Sequence, residues 1–380
     1  MKGYILCFII SLLFSYIGER YLKKEKKFIG ISMLLLSILT VCALAGLRSS
    51  KVGTDVENYA LNQFWLYNNE KRSFFYVINT TGIEPLFSLL VLISTIFKDF
   101  HFTLFFIELA CAMPIYIYAY KNRKEESLTF IIFIFLITMY ARSFNLMRQS
   151  IAISLIVLST YYFKIKKYKK TFLIYLISIM FHYSAVICIA IYFIMHILMN
   201  YKNEENKNRW MALIIFLALI LTVFMDKILE LIPTKYSFYI DSQYAVNSLS
   251  ILSVVKKLFW VVISLSVVFR IKNNKSLRNE QKVYLMFLLL DLIMYFMSLK
   301  VSTFGRLGNY FLNIGYFGMI PKIKYIFKQK LLANASIIII LVVFWYNMTV
   351  INNEADKTYP YASDVLDVLN DEGGEIWKQY

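Results

Sequence analysis

Arg148 stands at the mouth of an apolar run, in Phe144-Asn145-Leu146-Met147-Arg148-Gln149-Ser150-Ile151-Ala152. A guanidinium held there costs several kcal/mol unless it faces water, a partner or a ligand. Asn145 or Ser143 stands where a helix N-cap would. The free amides and positive dipole end of that helix start add to the guanidinium and make an anion site. The structural alternative is an interfacial Arg whose stem snorkels to head groups. Arg48, Arg142 and Arg306 also fall beside apolar runs, and a diphosphate or polyanionic sugar would give such arginines a purpose. Glu84 and Asp55 are carboxylates that could serve as a general base if an apolar setting raised their pKa toward neutrality. Their alternative role is as partners of those arginines or as helix-start acids. His182, in Phe181-His182-Tyr183-Ser184-Ala185, could act as base or substrate contact, against the commoner role of a satisfied structural imidazole.

The elements that must position these residues are membrane helices. Of 380 residues, 59% are hydrophobic, and the mean hydropathy is +0.58. Soluble domains average roughly 45–50% apolar residues and lack repeated near-continuous apolar runs of ~15–20. Runs such as Ile131-Ile132-Phe133-Ile134-Phe135-Leu136 do not alternate, which excludes a transmembrane β-barrel. The fold class is therefore all-α and polytopic. The charge of +17 sits in short Lys/Arg clusters between apolar runs, as cytoplasmic loops require, and no basic–aromatic platform suggests nucleic acid. Cys7, Cys42, Cys111 and Cys188 lie inside apolar runs and read as small core residues. No HExxH, P-loop, GxSxG or GxGxxG motif occurs, and no cluster has metal-ligand spacing.

Placing the clusters 23–27, 121–124, 164–170, 202–209, 270–282 and 322–330 in the cytoplasm gives a consistent alternation after Lys164. Upstream, three apolar runs separate two cytoplasmic clusters where an even number of crossings is needed. The run 85–97 is the shortest, at about 13 residues where ~20 are usual, and reads as a re-entrant helix after Glu84-Pro85. The expectation is about twelve spans plus that helix, with thirteen or so spans as the alternative. They form one membrane domain over 1–350, with outer loops near 48–84 and 226–250 and an acidic outer tail over 351–380. The run from Tyr4 to Ile17 lacks a small-x-small cleavage site and reads as a retained span. On this topology Arg48, Glu84, Arg142, Arg148, His182 and Arg306 all gather on the outer side.

Several of these stretches resemble one family. Gly46-Leu47-Arg48, Val52-Gly53-Thr54-Asp55, Tyr59 and Glu84-Pro85-Leu86-Phe87 are similar to the EpsG family of Wzy-like polysaccharide polymerases. So are Met147-Arg148-Gln149-Ser150-Ile151-Ala152, Phe181-His182-Tyr183-Ser184-Ala185 and the pair Arg306 and Tyr310. The resemblance covers about 40–200 well and the rest loosely. It implies a multi-pass glycosyltransferase of the bacterial cytoplasmic (inner) membrane that joins undecaprenyl-diphosphate-linked oligosaccharide repeats on the outer face into capsular, exopolysaccharide or O-antigen chains. It implies no cofactor and no metal, and a flippase and a chain-length regulator as partners.

Under that implication Arg148, Arg48 and Arg306 stabilise the leaving diphosphate, and Glu84 or His182 is the base. Asp55, Tyr59, Arg142, Gln149 and Tyr310 complete the substrate contacts. Two other readings compete. A lipid-linked oligosaccharide flippase or other transporter finds support in Glu108 and Asp291, which fall within apolar runs and would mark a proton or ion path. A ligase that moves finished glycan to another acceptor would share the outer-face chemistry.

Overall fold

The computed structural model describes residues 1–200, 203–224, 227, 249–271, 274–327, 330–351 and 356–366. Among them every regular element is helical, as the composition requires. Most of the expected 226–250 loop and the end of the tail fall outside the described residues. Two compact units divide the chain: Met1–Ala185 with Ile338–Tyr380, and Val186–Ile337.

In the first unit, α1 (Lys2–Lys23) and α2 (Lys27–Gly46) form a hairpin. A π turn (Val56–Leu61) then leads into the short helices α3 (Asn62–Asn68), α4 (Phe74–Thr81) and α5 (Pro85–Ser94). The long helix α6 (Phe100–Asn122) follows. Next, α7 (Leu128–Phe135) passes through a second π turn (Leu136–Tyr140) into the single turn α8 (Ala141–Ser143). The unit's main bundle continues with α9 (Met147–Lys164) and α10 (Tyr168–Phe181).

The two ends of this bundle are fixed by polar caps. At the lysine-rich end the buried Glu19 carboxylate accepts from Lys23 and, through its other oxygen, from Ser127 Oγ, Thr129 N–H and Thr129 Oγ. It therefore satisfies donors at the start of α7 that a helix cannot satisfy itself. At the other end Asp99 caps α6, and His101 Nδ1 lies 2.7 Å from the Gly46 carbonyl at the end of α2. Between the ends, the hydroxyls of Ser11, Ser37 and Tyr116 satisfy one another inside the bundle.

The His101–Gly46 contact joins the end of α2 to the start of α6. Because the end of α2 and the start of α6 meet, the α3–α5 segment leaves and returns at the same end. Helix α5 has 10 residues, about 15 Å of rise, or half a hydrocarbon core. Proline at its first position supplies the fixed φ and gives up an N–H that would be orphaned anyway. Lys98, at φ 56°, turns the chain back toward α6.

The second unit holds α11 (Ile189–Asn200), α12 (Glu204–Val223), α13 (Ile251–Arg270), α14 (Lys275–Ser298) and α15 (Thr303–Met319). Helix α14 is its centre and packs on all four of the others. The boundary with the first unit falls within α16 (Lys330–Tyr346), whose Trp345 ring meets Tyr4 and Phe8 of α1. Among the described residues seven helices are long and apolar enough to cross a membrane, and Pro85–Phe97, Leu128–Ser143 and Ala335–Ile351 are shorter apolar helices. The protein is an all-α polytopic membrane protein.

The loop after α2 depends on Gly53. Its φ is +100°, and a Cβ there would run into the Phe144 carbonyl, whereas Gly82, at φ +64°, has open space around it. Gly53→Ala should therefore destabilise the detergent-purified protein by about 2–4 kcal/mol, from strain plus overlap, and Gly82→Ala by only about 1 kcal/mol. Thermal unfolding of the two variants would read this, and equal shifts would refute the packing described for Gly53.

Candidate active site

Three segments of the first unit meet at Glu84. The first is the N-cap of α5, where Glu84 sits in extended backbone just before Pro85. The second is the first turn of α9, where Arg148 is the second residue. The third is the end of α10, where His182 leaves the helix at φ −159°. Glu84 is 3% exposed, yet its carboxylate is fully engaged. Oε2 accepts from Arg148 Nη1 at 2.7 Å. Oε1 lies 2.8 Å from His182 Nδ1 and also accepts from the Tyr183 N–H at 3.2 Å. The π turn after Asp55 adds a fourth wall, because the Tyr59 ring lies beneath the Arg148 guanidinium at 4.0 Å.

This geometry sets the charge of Glu84. Burial would raise the Glu84 pKa, but the His182 hydrogen bond and the Arg148 charge outweigh it and bring the carboxyl down to about 2. Glu84 is therefore ionised and accepts from both neighbours. The expectation that it could be a base with a pKa near neutrality is corrected: it lies in a cationic setting, not an apolar one. With Nδ1 turned to that carboxylate, the His182 ring carries its Nε2 on the side away from Glu84. Nε2 has no hydrogen-bond partner among the described residues, and the remaining Arg148 N–H groups have none either. The arrangement thus presents a potential base and a potential anion clamp side by side, each aligned by one carboxylate.

Other expected site residues fall differently. Arg48 is 1% exposed and points inward. Nη1 donates to the Ala45 carbonyl at 2.7 Å, and its guanidinium lies 4.2 Å from the Phe144 ring centroid. It is a buried brace under the Phe144 turn. Asn145 and Ser143 do not cap α9. The N-cap is Leu146, without a side-chain bond, while Ser143 Oγ donates to Glu108.

Asp55 lies at the head of the π turn, and its backbone N–H donates to Asn145 Oδ1 at 3.2 Å. Arg142 is partly exposed and lies 3.8 Å from Asp356, while Gln149 is buried in the first turn of α9. Arg306 and Tyr310 belong to α15 of the second unit, and Tyr310 is fully buried there. The Glu84 cluster is formed within the first unit alone. Sequence reasoning missed Asn145 as a ligand of the Asp55 loop and of Asp356. The only signal was an amide three residues before Arg148, which reads equally well as a cap.

The depressed pKa gives a pH signature. A carboxylate whose pKa falls from 4.5 unfolded to about 2 folded stabilises the native state above the unfolded value, and the stabilisation disappears as pH falls through the folded value. The thermal midpoint of the purified protein minus that of Glu84→Gln should be largest above pH ~5 and should shrink steadily down to pH ~2.5. A pH-independent difference over that window would contradict the double pairing of Glu84.

Searches of curated proteins and of solved structures returned no match. The family model of the EpsG family does match, over residues 31–363, which includes the Glu84 cluster and most of both units. On that extent of agreement the chain belongs to the EpsG family, a family of Wzy-like polysaccharide polymerases.

Proposed function

We propose that this protein polymerises undecaprenyl-diphosphate-linked oligosaccharide repeats at the outer face of the cytoplasmic membrane. The family supplies the general activity, a polysaccharide polymerase-type glycosyltransferase. The observation that carries the specific reading is the shared carboxylate of Glu84, with an open imidazole nitrogen on one side and an open guanidinium on the other.

Each repeat-joining step needs both groups. The non-reducing-end hydroxyl of one repeat attacks the anomeric carbon of the other chain. As the new C–O bond forms, the bond from that carbon to the diphosphate oxygen breaks, and its electron pair leaves with undecaprenyl diphosphate. The hydroxyl proton passes to His182 Nε2, which the Glu84 carboxylate orients and whose positive charge it then stabilises. Arg148 offers its unengaged N–H groups, next to the first-turn amides of α9, to the charge growing on the leaving oxygen. Tyr59 keeps the guanidinium plane fixed by cation–π contact, so little reorganisation is needed during the reaction. The exposed rings of Trp65 and Tyr76, on α3 and α4, offer faces for sugar stacking. A flippase would supply the lipid-linked repeats, and a chain-length regulator would act on the product.

Less supports the transporter reading than the sequence promised. Glu108 accepts from Ser143 at 2.6 Å, and Asp291 is ion-paired with Lys257. The Asp291–Lys257 pair makes its buried charge tolerable and needs no ion path to explain it, whereas Glu108 Oε1 has no hydrogen-bond partner among the described residues. A ligase shares the chemistry and differs in acceptor.

Loss-of-function products test the reading. Arg148→Ala and His182→Ala should each lower repeat joining on the order of 10²–10⁴-fold, and Glu84→Gln should do so comparably, since a donated amide N–H reverses the tautomer of His182. With protein abundance in the membrane unchanged, cells should display single-repeat products. Long unattached chains would indicate a ligase, repeats retained inside would indicate a flippase, and normal polymer from Arg148→Ala would end the proposal.

A further inference from the structure

The C-terminal segment bears on the same site from 211 residues away. Helix α9 starts without a side-chain cap, so something else must hold the turn Phe144–Leu146 that aims Arg148. On the inner side Arg48 lies against the Phe144 ring. On the loop side Asn145 Oδ1 accepts from Thr54 Oγ and from the Asp55 N–H. On the third side Asn145 Nδ2 donates to Asp356 Oδ1 at 2.7 Å, with Arg142 Nε 3.8 Å from the other Asp356 oxygen.

Asp356 does not reach Asn145 as a loose tail. The residues after it run back along the loop that follows α2 and are pegged to it repeatedly. The Lys357 carbonyl accepts from the Gly53 N–H at 3.0 Å, and the Ala362 carbonyl accepts from the Ser49 N–H at 2.9 Å. Tyr4 donates its hydroxyl to the Thr358 carbonyl at 2.7 Å, Tyr361 donates to the Leu44 carbonyl at 2.8 Å, and Ser363 donates to the Leu47 carbonyl. Thr358 and Ser363 are 2% and 1% exposed. A segment so thoroughly satisfied in its polar groups and so buried is part of the site's frame.

Asn145 is the junction. Three residues downstream lies Arg148. The Asp55 amide it holds starts the π turn that carries Tyr59, the ring on which Arg148 rests. One side-chain amide therefore sets both partners of the cation–π stack. Donation of Nδ2–H to a carboxylate polarises that amide and strengthens what Oδ1 accepts from the loop.

We infer that Asp356 is a positioning residue of the Arg148 site, acting through the Asn145 side chain, and that Asp356–Ser363 is the strap that delivers it. The inference rests on the polymerase reading of that site.

The test uses the full-length protein in lipid nanodiscs and, as probe, lipid-linked repeat extracted from producing cells that lack this protein and therefore accumulate it. Asp356→Ala should lower kcat about tenfold or more with KM changed less than about threefold, because Arg148 is displaced from the leaving group while the substrate is still bound. Asp356→Asn retains an oxygen acceptor for Asn145 and should recover to within about threefold of wild type. Asn145→Ala combined with Asp356→Ala should be no slower than Asn145→Ala alone, as expected of two residues acting in series.

An unchanged kcat in Asp356→Ala would overturn the inference. So would a loss explained by a lower amount of folded protein, or an Asp356→Asn variant as slow as Asp356→Ala. Arg148→Ala measured alongside separates the two levels. If it turns over normally, the polymerase site itself is wrong. If it is inactive while Asp356→Ala is at wild-type rate, only the positioning role fails.

Discussion

A single buried carboxylate organises the functional end of the first unit. Glu84 could not sit at 3% exposure unpaired, since the desolvation of an isolated carboxylate amounts to several kcal/mol. It needs cationic or N–H partners on both oxygens, and those partners come from two other segments of the chain. Because Arg148 opens α9 and His182 closes α10, satisfying Glu84 fixes how α5, α9 and α10 approach one another. The charge at the centre of the cluster is thus also the constraint that assembles it. Proline after Glu84 helps by fixing the entry of α5, so that the carboxylate faces the bundle at the place where the helix begins.

The same requirement explains the other polar groups inside the spans. One oxygen of Glu108 is held by Ser143, the residue after Arg142, and Asp291 is held by Lys257 in the second unit. Ser11, Ser37 and Tyr116 form a closed hydroxyl cluster. The Asp291 pair and the hydroxyl cluster are local solutions to the absence of water in a hydrocarbon layer. In the Glu84 cluster the partners are incompletely used: His182 Nε2 and part of the Arg148 guanidinium face no protein partner among the described residues.

Much of this was legible in the sequence. The helical membrane fold follows from composition, and the gathering of Arg148, Glu84 and His182 at one end follows from the spacing of lysine clusters and apolar runs. The shortness of the run after Glu84 was legible too, since it forms a helix of only 10 residues. Other features were not. Arg48 looks like a loop arginine, and only packing shows the Phe144 ring and the Ala45 carbonyl enclosing it. The ionisation of Glu84 depends on which charges surround it, and a sequence gives their number without their distances. The pairing of Asn145 with Asp356 spans 211 residues, and no local pattern of periodicity, capping or turn chemistry carries information over that separation.

Rigidity argues for catalysis over passage. A residue that escorts a charged substrate through a membrane must change partners as the substrate moves, so its contacts should be few and exchangeable. Arg148 is instead held from beneath by Tyr59, from the side by Glu84, and by a helix start braced through Phe144 and Asn145. Such holding restricts motion and lowers the reorganisation needed when charge develops at a defined point. A diphosphate leaving an anomeric carbon develops charge at one oxygen, in one direction, beside the hydroxyl that must lose its proton. A fixed guanidinium and a fixed imidazole linked by one carboxylate match that requirement. The same fixity would oppose the stepwise release that transport demands.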